Sequence, residues 1–101
     1  MDDLEICKAI ANIEGVEFAV IKNNSGYEFL QPTNLKLCLM YDPLADDGLC
    51  FRMMIQHEIE MYKIEDHYYC EWIGSNTTVN DKSPRKSLCL AIIAKYARES
   101  K

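Results

Sequence analysis

Stretches with helical periodicity alternate with short strand pairs along this chain, and that alternation most limits what it can fold into. Three segments carry the spacing of a helix on a 100° wheel: 2–14, 42–57 and 83–98. Between them lie two pairs of short β-rich runs, each joined by a polar turn. Val16 to Ile21 and Tyr27 to Leu30 flank Asn23-Asn24-Ser25-Gly26, where Asn and Gly tolerate positive φ. Glu58 to Ile64 and Tyr68 to Ile73 flank Glu65-Asp66-His67. Turns this short join antiparallel neighbours, because a parallel pair needs a crossover of a dozen residues or more. The expected class is α+β: three helices and an antiparallel sheet of about four strands, in the order α-ββ-(β)-α-ββ-α. The bracketed strand is Leu35 to Tyr41, where Leu35, Leu37 and Leu39 alternate with Lys36, Cys38 and Met40. It reads either as a third strand or as an extended lead into the second helix. The 101 residues suit one domain spanning 1–101, long enough to bury roughly 65% of the unfolded surface.

The helix boundaries carry their own signals. Asp2 or Asp3 offers a carboxylate to the open N–H groups of the first helix, and Gly15 supplies its stop. Ile6, Cys7, Ile10 and Ile13 share that helix's apolar side. Asp42-Pro43 and Ser83-Pro84 each set a capping side chain before a Pro at the first helical position, where the missing N–H costs nothing. In the second helix, expected from Asp42 to about His57, Leu44, Phe51, Met54 and Ile55 share one face, while Leu49, Cys50 and Met53 lie elsewhere on the wheel. A helix apolar on more than one side is either sandwiched in its own domain or meets a partner. In the third, Leu88, Cys89, Ile92 and Tyr96 form one face. Gly74 to Lys82 reads as a nine-residue polar loop.

Composition excludes several functions. Eleven Lys and Arg against 16 Asp and Glu leave a net charge of −5, which argues against a nucleic-acid surface, since such surfaces carry a basic patch. The longest apolar run, Leu88 to Ala94, falls short of the ~20 residues of a membrane span, and the acidic start lacks the basic region of a signal peptide. The expectation is a cytoplasmic protein with no membrane association. Cys7, Cys38, Cys50, Cys70 and Cys89 are odd in number, at least 12 positions apart and set in apolar segments. They read as reduced core thiols rather than as zinc or redox pairs.

At this point the residues resemble a known family. Asp3-Leu4-Glu5-Ile6-Cys7, then Tyr41-Asp42-Pro43-Leu44-Ala45-Asp46-Asp47 followed by Leu49-Cys50-Phe51-Arg52, and finally Lys86-Ser87-Leu88-Cys89-Leu90-Ala91-Ile92 are similar to the opening, middle and last helix of the phage ABA sandwich domain family. The family more often carries Asn before the Pro and Ala before the Leu-Cys, where this chain has Asp42 and Gly48. The resemblance implies a small α/β/α layered domain encoded by a phage or prophage. It brings no agreed activity, no cofactor and no catalytic residues.

Chemistry-bearing groups are sparse. His57, Glu58, Glu60 and His67 form a candidate His₂-carboxylate metal site, but their spacing matches no metal-binding helix motif. Asp42, Asp46 and Asp47 lack the spacing of a calcium loop and read as helix-capping acids. No nucleophile elbow, phosphate loop or dinucleotide fingerprint occurs, so no catalytic residue and no cofactor are assigned. Tyr62, Tyr68, Tyr69 and Trp72 form a dense aromatic set, a residue type favoured at interfaces. Leu49, Met53, Tyr62 and Tyr69 are the partner-binding candidates. The reading that follows is a non-catalytic accessory protein that binds a host or phage protein, with a homodimer compatible. Two alternatives are an acidic decoy of a nucleic-acid-binding host enzyme and a small metal-dependent hydrolase.

Overall fold

The first helix, α1 (Asp3–Ile13), begins at a reciprocal cap. The Asp2 carboxylate accepts from the Glu5 N–H at 2.8 Å, and the Glu5 carboxylate accepts from the Asp2 N–H at 3.2 Å. Its end is equally defined. Gly15 takes φ +72°, the Val16 N–H reaches the Ala11 carbonyl at 2.8 Å and the Gly15 N–H reaches that of Asn12 at 3.3 Å. This pair of bonds is the Schellman arrangement, which needs a residue tolerant of positive φ where Gly15 stands. Ile6, Cys7, Ile10 and Ala11 are buried, whereas Ile13 is only half-buried. The computed structural model describes residues 1–35 and 40–99.

Strands β1 (Phe18–Lys22) and β2 (Glu28–Pro32) pair antiparallel, from Phe18↔Pro32 to Lys22↔Glu28. Their turn is built as the sequence suggests. The Asn23 side chain accepts from the N–H groups of Ser25 and Tyr27, and Gly26 has positive φ. Most of the 35–41 run expected as a third strand or a lead-in lies outside the described residues. Its last member, Tyr41, makes an isolated antiparallel bridge to Leu30. These elements form one compact unit, Met1–Asp42, and Pro43–Lys101 forms a second.

In the second unit, helix α2 (Asp47–Gln56) starts later than Asp42-Pro43 suggests. Asp46, not Asp42, is the cap, its carboxylate accepting from the Leu49 N–H at 3.0 Å. Pro43 lies in a turn with its side chain buried. A cap must reach the N–H three residues on, and Asp46 does so for a helix that starts at Asp47. At the other end Glu58 takes φ +56°, and the Lys95 ammonium donates to the His57 carbonyl at 2.6 Å, placing positive charge at the negative helix end.

Strands β3 (Ile59–Ile64) and β4 (His67–Trp72) form the expected hairpin, with Ile59↔Trp72 at one end and Ile64↔His67 at the turn. Within the segment expected as a loop, β5 (Val79–Asp81) adds to the free edge of β4 as Tyr68↔Asp81, Tyr69↔Asn80 and Cys70↔Val79. Three residues with two strand-poor types, Asn and Asp, carry no period to read; pairing with β4 makes them a strand. The α+β class holds, but the single sheet of about four strands is replaced by two: β1-β2, and β3-β4-β5.

Helix α3 (Pro84–Glu99) starts as expected, with the Ser83 hydroxyl accepting from the Lys86 N–H at 3.2 Å. It packs on all three strands of the second sheet and on α2. Leu88, Cys89, Ala91 and Ile92 are buried. Tyr96, expected on that face, is 47% exposed because it lies beyond the packed middle of the helix. Ser87, fully buried, donates to the Tyr68 carbonyl at 2.8 Å, tying α3 to the sheet.

Candidate functional site

The outer side of α2 leaves two large apolar side chains exposed, and the neighbouring strand β3 exposes two more on the far side of its sheet. Cys50 and Met53 turn inward, and the next positions round the helix, Phe51 and Ile55, are left 60% and 62% exposed. Met54 lies between these two faces and is half-buried. On β3, alternation sends Ile59 and Met61 towards the helices and Tyr62 and Ile64 to the opposite side of the sheet, where both are exposed.

Two open grooves meet at Met54 and Met61. One, of about 190 Å³, lies between α2 and α3 and is lined by Cys50, Phe51, Leu88 and the Arg85–Asp47 ion pair (Nε to Oδ1, 2.9 Å). The other, of about 670 Å³, runs along β3, lined by Ile59, Tyr62, Lys63 and Tyr68. Strand β3 is an edge of its sheet, so alternate N–H and C=O groups point away from β4. On the far face Tyr62 and Tyr69, direct partners across the hairpin, stack at 5.6 Å between ring centroids with planes 8° apart. On the near face the Lys63 ammonium lies 5.4 Å from the Tyr68 ring centre.

Of the four partner-binding candidates, Tyr62 and Tyr69 lie together on this sheet, Tyr62 exposed and Tyr69 half-buried. Leu49 is half-buried in the first turn of α2. Met53 is a correction: at 1% exposure it belongs to the core and offers nothing to a partner. Phe51 and Ile55 take its place. Their helical spacing was visible in the sequence, but the wheel has two apolar sides and gives no reason to send Phe and Ile outward.

The metal candidates are not brought together. His57 caps the end of α2 beside the first residue pair of the hairpin, and His67 stands at its turn. Five strand steps separate these ends, roughly 17 Å at ~3.4 Å per residue, several times the span of a metal site. The His67 Nδ1 instead meets the Asp66 carboxylate at 2.8 Å, and this hydrogen bond holds the Asp66 carboxyl below its ordinary range. Among the described residues no group of three His, Cys, Asp or Glu side chains is placed to hold a metal ion.

Four of the five cysteines are described, and all four are buried thiols, as expected; Cys38 lies outside the described residues. Burial pushes the Cys70 thiol up. Cys50 moves the other way. A hydrogen bond from the Cys89 thiol, helped by the Arg85 guanidinium, outweighs burial and holds Cys50 below the ordinary thiol value. Nothing in the sequence pointed to this pair, 39 positions apart.

No family model, no curated protein and no solved structure matches this chain. Among the described residues no helix is long and apolar enough to cross a membrane.

Proposed function

We propose that the chain is a non-catalytic accessory protein that docks a protein partner on the α2–β3 face, and that it belongs with the phage ABA sandwich domain proteins it resembles. The exposure of Phe51 and Ile55 on α2, with Phe51 lining the groove between α2 and α3, carries this reading. A small protein gains nothing in stability from keeping two large apolar side chains in water, and contiguous exposed apolar surface is what binding faces share. The partner is a host or phage protein, or a second copy of the chain. Charge supports an apolar rather than an electrostatic contact. Met1–Asp42 carries seven acidic and three basic side chains, whereas Pro43–Lys101 carries nine and eight and is close to neutral.

The test compares the wild type with Phe51→Glu/Ile55→Glu as tagged baits in host lysate, washed in high salt, alongside light scattering of the purified proteins. The expected result is one stoichiometric protein, or a self-associated mass, found with the wild type and lost in the double variant. A wild type that stays at 11.7 kDa at high concentration and retains nothing, or a variant that retains the same protein, overturns the reading.

A further inference from the structure

Two thiols of the second unit converge on one backbone oxygen. The Cys50 sulfur lies 2.9 Å from the Pro43 carbonyl and the Cys89 sulfur 4.0 Å from the same atom. The two sulfurs, one on α2 and one on α3, therefore flank the same oxygen atom. Access is one-sided. Cys50, at 8% exposure, lines the open 190 Å³ groove, whereas Cys89 is fully buried behind it. The other described thiols lie elsewhere: the Cys7 thiol faces the Asp42 carboxylate at 3.6 Å, and Cys70 is fully buried on β4.

We propose that Cys50 and Cys89 form an oxidisable dithiol, in which a peroxide entering the groove attacks Cys50 and Cys89 closes an intrachain disulfide linking α2 to α3. The pairing inverts the usual reading of buried cysteines as inert hydrophobes. In the first step the Cys50 sulfur attacks one peroxide oxygen. The O–O bond breaks, Cys50 becomes a sulfenic acid, and the displaced hydroxide leaves as water with the thiol proton. In the second step the Cys89 sulfur attacks the sulfenic sulfur. The S–S bond forms, the S–O bond breaks, and the hydroxyl leaves as water with the Cys89 proton. Both thiols are oxidised by one sulfur oxidation level and one peroxide is reduced to two waters. The Arg85 guanidinium and the Cys89 hydrogen bond favour the thiolate that the first step requires. The Pro43 carbonyl, which accepts only from the protonated thiol, holds Cys50 in its resting state.

The inference is independent of whether the α2–β3 face docks a partner. Its test treats the native wild-type protein with hydrogen peroxide, blocks remaining thiols with an alkylating agent after denaturation, and maps the peptides by mass spectrometry. The expected result is loss of two hydrogen atoms from the intact mass and a Cys50–Cys89 linked peptide, with the other three cysteines, Cys7, Cys38 and Cys70, alkylated after denaturation. In Cys89→Ser the reaction stops at Cys50, trapped as a sulfenic acid by a cyclic dione, and in Cys50→Ser it leaves Cys89 unmodified. Linkage of any other pair, or reaction of the native wild type only after it has been unfolded, overturns the proposal without recourse to the variants.

Discussion

Ser87 shows how a single side chain sets the depth of a contact. Its hydroxyl is buried against the Tyr68 carbonyl at 2.8 Å and the Val79 carbonyl at 3.4 Å, so it bonds α3 to both β4 and β5. Ser87→Ala leaves these acceptors facing a methyl group, and urea denaturation should show a loss of about 1–2 kcal/mol. Glu58 is the opposite case, a residue in a conformation that does not suit it. It follows the last turn of α2 at φ +56°, where L side chains are disfavoured by about 1–2 kcal/mol. Glu58→Gly relieves that cost and returns part of it to unfolded-chain entropy, for a net gain of about 0.5–1 kcal/mol in the same assay. Asp2 makes α1 sensitive to acid. The backbone hydrogen bond from Glu5 lowers its pKa, so the bound carboxylate contributes stability above the ordinary value of 3.8, lost as pH falls through the lower folded value. Circular dichroism of Asp2→Asn, which keeps the cap but cannot titrate, should lose this part of the acid transition.

Helix α2 is the element on which sequence and structure differ most usefully. Its start lies at Asp46 rather than Asp42 because an acid that can cap stands at both places, and Asp46 is the one whose carboxylate accepts from the Leu49 amide. Asp46→Ala should cost about 1 kcal/mol. Its orientation was undetermined because Phe51 and Ile55 are more apolar than the Cys50 and Met53 that the core received. The two faces predict opposite mutational behaviour. Met53→Ala removes a side chain with 1% exposure and should destabilise by about 2–5 kcal/mol. Phe51→Glu should change stability by less than about 0.5 kcal/mol, the usual limit for an exposed site, and act on association instead. Thermal melts paired with light scattering separate the two outcomes. Strand β5 was missed for a related reason: its pairing partner is β4, and Val79-Asn80-Asp81 alone has no pattern longer than noise.

For the whole molecule, the contact pattern gives two compact units, Met1–Asp42 with α1 and the β1-β2 hairpin, and Pro43–Lys101 with α2, α3 and the β3-β4-β5 sheet. A stretch of 42 residues is at the lower limit of what buries enough apolar surface to fold unaided. A peptide of Met1–Asp42 should therefore show no cooperative unfolding transition by circular dichroism. What the sequence determined by itself is whatever rests on neighbours along the chain. The acidic cap of α1 at Asp2 or Asp3, the Gly15 stop, the Asn23 and Glu65-Asp66 turns, the Ser83 start of α3 and hence the α+β class all follow from contacts a few residues apart. The tertiary structure alone decided which side of α2 is buried, that Val79–Asp81 is a strand, that His57 and His67 stand at opposite ends of a hairpin, and that Cys50 meets Cys89 over the Pro43 carbonyl. Each of these depends on residues brought together from distant positions. Local propensity and periodicity carry no term for such meetings, whereas packing selects one arrangement among the several that the local rules allow.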